Sequence, residues 1–349
     1  MRLKGITYDA GAHMGMNWRP VFDPKVVRRE LQIIKEDLHC NAVSIGALDV
    51  GRLVTAATAA LEQGLEAWVS PLLWDKSEDE TIAYLTKAAG PLETLRKKWP
   101  DKVVLSVASE STLFMQGILE GKNIIQRLGN PKFMARIKAG EHNAPLNAFL
   151  SKAVAAVKKQ FKGELTYHSL IWEKVDWSLF DYVGVDHYRA KDIQDRYVDM
   201  LKPLFDHGKP VVVTEFGYGT YQSDGKLIQV LLGGGDIDSK SQFFHSLPVV
   251  GRFARAKVRV IHPRDEAWQA RKLVETLGIL DAAGVDGAFV SDFISQTKPY
   301  DEDPKYDLDA ASPSLVKSFE GGRHGTTYPD MPWEPKESFR AVADYYASH

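Results

Sequence analysis

The chain has almost no cysteine. Cys40 is the only one in 349 residues, so no disulfide can close within it. It has no apolar run long enough to span a bilayer. It has little excess charge: 44 Lys and Arg stand against 46 Asp and Glu, a formal net charge of −2. That balance points away from a nucleic-acid groove and from an anionic membrane surface, so neither partner is expected. No repeat at solenoid period and no low-complexity linker interrupts it. Met1-Arg2-Leu3-Lys4 runs directly into a β pattern, without the charged stretch and apolar core of a secretory leader. A cytoplasmic location is therefore expected. A glycine-rich phosphate turn is also missing. After the first strand the chain reads Asp9-Ala10-Gly11-Ala12-His13-Met14-Gly15-Met16, only a partial match to the dinucleotide fingerprint.

What is present is an alternation of short β-branched runs and longer amphipathic segments. Strands are predicted at 3–8, 41–45, 65–73, 103–109, 165–171, 182–186, 211–214 and 287–293. Helices fall between them. Asp23-Pro24 starts one, with a capping side chain and a proline in the first turn, and Gly64 ends the next. Eight such strand–helix units predict an α/β fold closed as a (β/α)8 TIM barrel, a single catalytic domain over 1–349. Two long insertions are expected, at about 111–144 after the fourth strand and 218–263 after the seventh. The second is rich in apolar residues, from Leu227, Ile228, Val230, Leu231 and Leu232 to Phe243, Phe244, Leu247, Val249 and Val250. It is expected to pack as a lid or to form the contact of a homo-oligomer.

Two strands end in the same abrupt way. Val103-Val104-Leu105-Ser106-Val107-Ala108-Ser109 stops at Glu110, and Pro210-Val211-Val212-Val213-Thr214 stops at Glu215. A carboxylate at the C-terminal end of a barrel strand stands where such barrels keep their chemistry. Two of them, in surroundings that hold one protonated and the other ionised, meet the requirements of glycosidic bond hydrolysis. Glu110 and Glu215 are therefore the candidate catalytic pair.

With those residues in place the chain resembles the clan A glycoside hydrolases, from the first strand to the eighth. The resemblance implies that Glu110 is the acid/base, that Glu215 is the nucleophile, and that configuration is retained. Asp181-Tyr182-Val183-Gly184-Val185-Asp186-His187-Tyr188 is similar to the clan's sixth strand, which implies that Tyr188 holds the nucleophile by a hydrogen bond. Two positions depart. Ser109 stands where the clan has the Asn that binds the sugar 2-hydroxyl, and Ser44 stands where it often has an Arg. Thr214 to Tyr221 also resembles bacterial proteins labelled abortive infection proteins.

The expected partner is a carbohydrate, a glycoside or short oligosaccharide, with no cofactor and no metal. Polar groups for its binding are Asp9, His13, Ser109, His168, His187, Tyr188 and Asp292. Rings that could stack on a sugar are Trp18, Trp74, Trp172, Tyr218, Tyr221 and Phe293. Arg127, Lys132 and Arg136 are expected on a solvated face. Two alternatives stay open. A metal-dependent hydrolase of amidohydrolase type would use His168, His187 and Asp292 as ligands. It would also want His-x-His after the first strand and Lys on the fourth, where this chain has Asp9, His13 and Glu110. The other is a barrel that binds carbohydrate or protein without catalysis.

Overall fold

The computed structural model describes residues 1–14, 16–222, 237–246 and 255–349. Eight parallel strands close on themselves: β1 (Leu3–Asp9), β2 (Ala42–Ala47), β3 (Glu66–Pro71), β4 (Val103–Ser109), β5 (Glu164–Leu170), β6 (Val183–Asp186), β7 (Val211–Phe216) and β8 (Gly287–Val290). Closure pairs β1 with β8, Leu3 opposite Gly287 and Ile6 opposite Val290. The outer layer holds α1 (Pro24–Glu36), α2 (Val50–Glu62), α3 (Glu78–Lys98), α4 (Asn143–Val157), α5 (Tyr197–Phe205), α6 (Glu266–Ala283) and α7 (Glu337–Ser348). This is the expected (β/α)8 barrel. Its helices start where short polar side chains can take the free backbone N–H groups: Asp23, Asp49 and Asp265 cap α1, α2 and α6, and Ser77 with Glu80 forms a capping box on α3.

One unit departs from the strict alternation. Between β5 and β6 the chain makes only a 3-10 turn, Trp177–Leu179. The link is too short for a helix with a loop at each end, and Trp177 and Phe180 cover the barrel wall there instead, packing edge to face at 5.7 Å.

Inside the barrel, polarity rises along the strands. At the bottom, Leu3, Ala42, Trp68, Val104, Tyr182, Val212 and Phe289 make their own apolar cluster. Trp68 fills its centre, 4.9 Å from the Tyr182 ring and 5.3 Å from Phe289. Gly5 makes the space for that plug, since a Cβ there would lie 2.3 Å from the Phe289 ring. Two residues further along, the same inward face carries Ser44, Ser70, Ser106, Thr166 and Thr214. The carboxylates follow at the strand ends.

The first insertion holds short helices at Ser111–Phe114, Ile124–Leu128 and Phe133–Ala139. Arg127 corrects an expectation. It is fully buried rather than solvated, because its guanidinium donates to the Leu113 carbonyl at 2.6 Å and the Gly121 carbonyl at 3.0 Å and pairs with Asp75. Of the second insertion, Ile237 and Val258 bridge one another and pack with Ala256 on Leu308. Leu227 to Leu232, the triple glycine, Leu247, Val249 and Val250 lie outside the described residues, and so do the lid and the oligomer contact expected from them. Among the described residues no helix is long and apolar enough to cross a membrane.

Candidate active site

Glu110 sits at a corner. The register between β4 and β5 shifts after Ser106, so that Ser109 rather than Ala108 lies opposite His168. Glu110 then takes left-handed backbone angles, φ 44° and ψ 43°. For a residue with a Cβ this costs on the order of 1–3 kcal/mol and must be held by its surroundings. The Glu110 N–H donates to the His168 carbonyl at 2.8 Å, and the Glu110 carbonyl accepts from Leu113 and Phe114. Burial raises the Glu110 carboxyl well above the usual range. The negative charges of Asp186, Glu215 and Glu173 push it the same way. The protonated form is favoured, as a proton donor requires.

Glu215 reaches the barrel mouth through a second irregularity. Val185 pairs with Val213, but Asp186 pairs with Glu215, so β7 gains one residue over β6. Strict alternation from Val212 would send Glu215 outward; the bulge brings it in beside Thr214. Tyr188 donates its phenolic hydrogen to Glu215 Oε1. Ser291 Oγ donates to the same oxygen at 3.3 Å. Burial raises the Glu215 carboxyl, and these two hydrogen bonds draw it back down. Glu110 and Glu215 thus stand at one end of the barrel, within electrostatic reach of each other and in different surroundings.

Asp186 is a third carboxyl that the sequence did not single out. It is buried, accepts from Thr214 Oγ1 at 2.7 Å, and is pushed well above the carboxylate range by burial and then by Glu215. Its signal was its place at the end of β6, two residues before Tyr188.

The other candidates divide. Asp9 ends β1 at the mouth, but Oδ1 is taken by the N–H groups of Gly11 and Ala12, both at 2.7 Å. Asp292, after β8, is pushed up to about 7 by burial, against the opposing charge of Lys298. His168 is buried, and that burial lowers it to about 3, so the ring is neutral. Ser109 stands beside it at the end of β4. Trp18 and Trp74 approach to 5.1 Å, and Trp74 stacks on Phe114 at 4.7 Å, an aromatic row over the ends of β1, β3 and β4. Trp172 is half-buried beyond β5.

Several expected groups turn elsewhere. His187 is fully buried, stacks on Tyr197 at 4.0 Å and bonds through Nε2 to the Tyr197 carbonyl at 2.9 Å, so its ring anchors α5. Tyr218 hydrogen-bonds Thr276 on α6 at 2.7 Å. Phe293 is core, edge-on to Trp333 at 5.3 Å, and Tyr221 stacks on His262 at 4.2 Å. His13 is exposed on a two-stranded hairpin formed with Asn17. Ser44 is buried on β2. Among the described residues no group of three or more His, Cys, Asp or Glu is arranged to hold a metal ion.

No protein-family model matches the chain, and no curated protein sequence matches it. Solved structures do. A GH113 β-1,4-mannanase aligns over 99% of this chain and 99% of its own, with TM-score 0.58 and 13% identity. The GH113 β-mannanase of Alicyclobacillus acidocaldarius aligns over 99% of this chain and 97% of its own, with TM-score 0.56 and 14% identity. A β-glucuronidase of an uncultured Clostridium species aligns over all of this chain and 51% of its own, with TM-score 0.57 and 14% identity. At this identity the likeness is one of fold: the chain has the barrel on which these glycosidases are built.

Proposed function

We propose that the protein is a retaining glycoside hydrolase acting on a glycoside or short oligosaccharide, with Glu110 as acid/base and Glu215 as nucleophile. The observation that carries this reading is the unequal treatment of the two glutamates. Glu215 receives hydrogen bonds from Tyr188 and Ser291, which favour its ionised form, while Glu110 is raised by burial and by three neighbouring carboxyls. In the first step Glu215 attacks the anomeric carbon through Oε2, the oxygen that neither donor engages. Glu110 protonates the departing oxygen, leaving a glycosyl ester on Glu215. In the second step Glu110, now a carboxylate, takes a proton from water, which attacks the same carbon and frees Glu215.

Two further features support a sugar ligand. Trp18, Trp74 and Phe114 offer a ring surface beside the strand ends. Trp74 Nε1, His168 Nε2, Trp172 Nε1 and Asp292 Oδ1 are buried with no hydrogen-bond partner among the described residues. Sugar hydroxyls supply both donors and acceptors for such atoms. Ser109 in place of the amide common in clan A points to weaker or different recognition at the 2-position. The structural neighbours are named for β-linked substrates, so β-aryl glycosides are the first compounds to test.

The test is hydrolysis of a panel of aryl β-glycosides by the wild-type protein and by Glu215→Ala. Release of aryl alcohol by the first and its loss in the second is the expected result, with proton NMR showing the β-anomer as first product. Activity is expected to survive chelation. An inverted first product, or full activity in Glu215→Ala, would overturn the assignment.

A further inference from the structure

Glu173 is a buried carboxylate that the mechanism above does not use. It lies just past β5, almost completely buried, and both oxygens of its carboxylate accept hydrogen bonds. Oε1 accepts from the Thr112 N–H at 3.2 Å. Oε2 accepts from the Leu170 N–H at 2.9 Å and from the Tyr167 hydroxyl at 2.9 Å. The Glu173 N–H returns to the Leu170 carbonyl at 2.9 Å, so the end of β5 is closed on itself. The Tyr167 hydroxyl, having donated to Glu173, accepts from the Ser111 N–H at 2.8 Å. Ser111 and Thr112 are the two residues that follow Glu110.

The consequence lies in the left-handed turn. Glu110 leaves β4 with φ 44°, a conformation that a residue with a Cβ keeps only under constraint. The N–H groups of the next two residues start the turn Ser111–Phe114 and have no partner of their own within it. In an apolar interior they would be costly. Glu173 and Tyr167 satisfy both, one directly and one through the phenol. With the His168 carbonyl on the Glu110 N–H, the backbone is then held at Glu110, Ser111 and Thr112, all from β5 and its C-terminal turn.

We infer that Glu173, acting with Tyr167, is the positioning residue for Glu110: a buried clamp that fixes the turn after β4 and thereby aims the acid/base carboxyl. This rests on the glycosidase reading for its catalytic meaning, but the clamp itself is a statement about Glu110. Glu173 touches no reacting atom. Glu173 is itself pushed up to about 7 by burial, and where it is ionised its charge adds to the set that faces Glu110, which comprises Asp186 from β6, Glu215 from β7 and the Tyr188 phenol. Removing that charge should let Glu110 ionise at lower pH.

The experiment uses Tyr167→Phe, which keeps the ring and breaks the bridge, and Glu173→Gln, which keeps the shape and removes the charge. Each is assayed on a dinitrophenyl glycoside, whose leaving group needs no proton, and on an alkyl glycoside of the same sugar, whose leaving group does. Misaiming an acid should cost roughly 10–100-fold in kcat/KM on the alkyl glycoside and little in kcat/KM on the dinitrophenyl compound, since kcat/KM reports the first step alone. In Glu173→Gln the alkaline limb of kcat/KM should also move to lower pH. Equal losses in kcat/KM on both substrates, or no loss on either, overturn the inference. A second readout does not depend on turnover: infrared titration of the Glu110 carboxyl, identified by its absence in Glu110→Gln. A titration point that also moves in Tyr167→Phe, where the charge of Glu173 remains and only the bridge to Ser111 is lost, supports the clamp, and one that is unmoved in both variants overturns it. If the wild type hydrolyses no glycoside, the glycosidase reading fails and the infrared titration alone decides the clamp.

Discussion

Tyr188 donates its phenolic hydrogen to Oε1 of Glu215, joining the loop after β6 to the end of β7 across a register shift of one residue. The bond does two things: it fixes the carboxylate's rotation and favours its charge. Hydrogen bonds to a charged group contribute about 1.5–3 kcal/mol. Tyr188→Phe should therefore lower kcat/KM by roughly 10–150-fold. Without the donor, burial acts on Glu215 with less opposition, so its pKa rises and the acid limb of the pH profile moves to higher pH. A kinetic pH profile of the variant checks both. A lower rate with an unmoved acid limb would reduce Tyr188 to a packing role.

Glu110 answers to a different measurement. Glu110→Ala should lose about 10²–10⁴-fold in kcat/KM on substrates with poor leaving groups and far less in kcat/KM on activated ones, because in the first step only the former need the proton. Azide, a small anion that needs no base, should restore the second step and give a β-glycosyl azide detectable by mass spectrometry. No azide product from an activated substrate would remove Glu110 from the acid/base role.

How much of this could be read from the chain follows from which residues obey local rules. The strands were legible because Val103 to Leu105 and Val211 to Val213 are buried on both faces and read as continuous apolar runs. The start of α1 was legible because Asp23 caps it in the ordinary way, with Pro24 in the first turn. Glu110 and Glu215 stood out by ending such runs. The two bulges that bring them to the mouth did not, since a register shift depends on the partner strand and leaves no mark in the strand's own sequence. Arg127 looked like a surface cation because its partners are the carbonyls of Leu113 and Gly121, which any sequence carries. His187 looked like a subsite group because nothing local tells that its ring faces Tyr197, ten residues on. Asp186 and Glu173 were missed because their importance comes from burial beside other carboxyls, a tertiary property.

The barrel also carries a buried ion pair whose removal should be costly. Arg19 and Glu30 are 1% and 0% exposed, and they meet at 2.5 Å. Glu30 accepts in addition from the Tyr8 hydroxyl at 2.5 Å and from Trp333 Nε1 at 3.0 Å. One carboxylate thus ties β1, α1 and the segment before α7. Glu30→Gln leaves Arg19 buried without its countercharge, for which about 3–5 kcal/mol is the usual cost. Calorimetry should show a clearly lowered Tm. The double variant Arg19→Met with Glu30→Leu should recover part of the loss, since no charge then remains unpaired. A Tm for Glu30→Gln equal to that of wild type would show that the pair is dispensable.

Asp292 gives the final prediction, one of stability against pH. Its carboxyl is pushed up to about 7, chiefly by burial, while an unfolded Asp titrates near 4 (about 3.9). Between about pH 4 and pH 7 the folded chain therefore holds this proton more tightly than the unfolded chain. Stability falls as pH rises through that window and levels off above it. The positive charges of Lys298 and Lys336 oppose the shift without cancelling it. A difference of about three pH units corresponds to a few kcal/mol, on the order of 4 at most. Asn at this position keeps the shape and cannot ionise. The Tm of Asp292→Asn should thus gain on that of wild type as pH is raised from about 5 to about 8. Glu110, Asp186 and Glu173 are also raised and bend both curves in the same direction, so the contrast between the two proteins isolates Asp292. Melting curves that run parallel over that range would mean that Asp292 ionises in the folded protein as readily as it does in water.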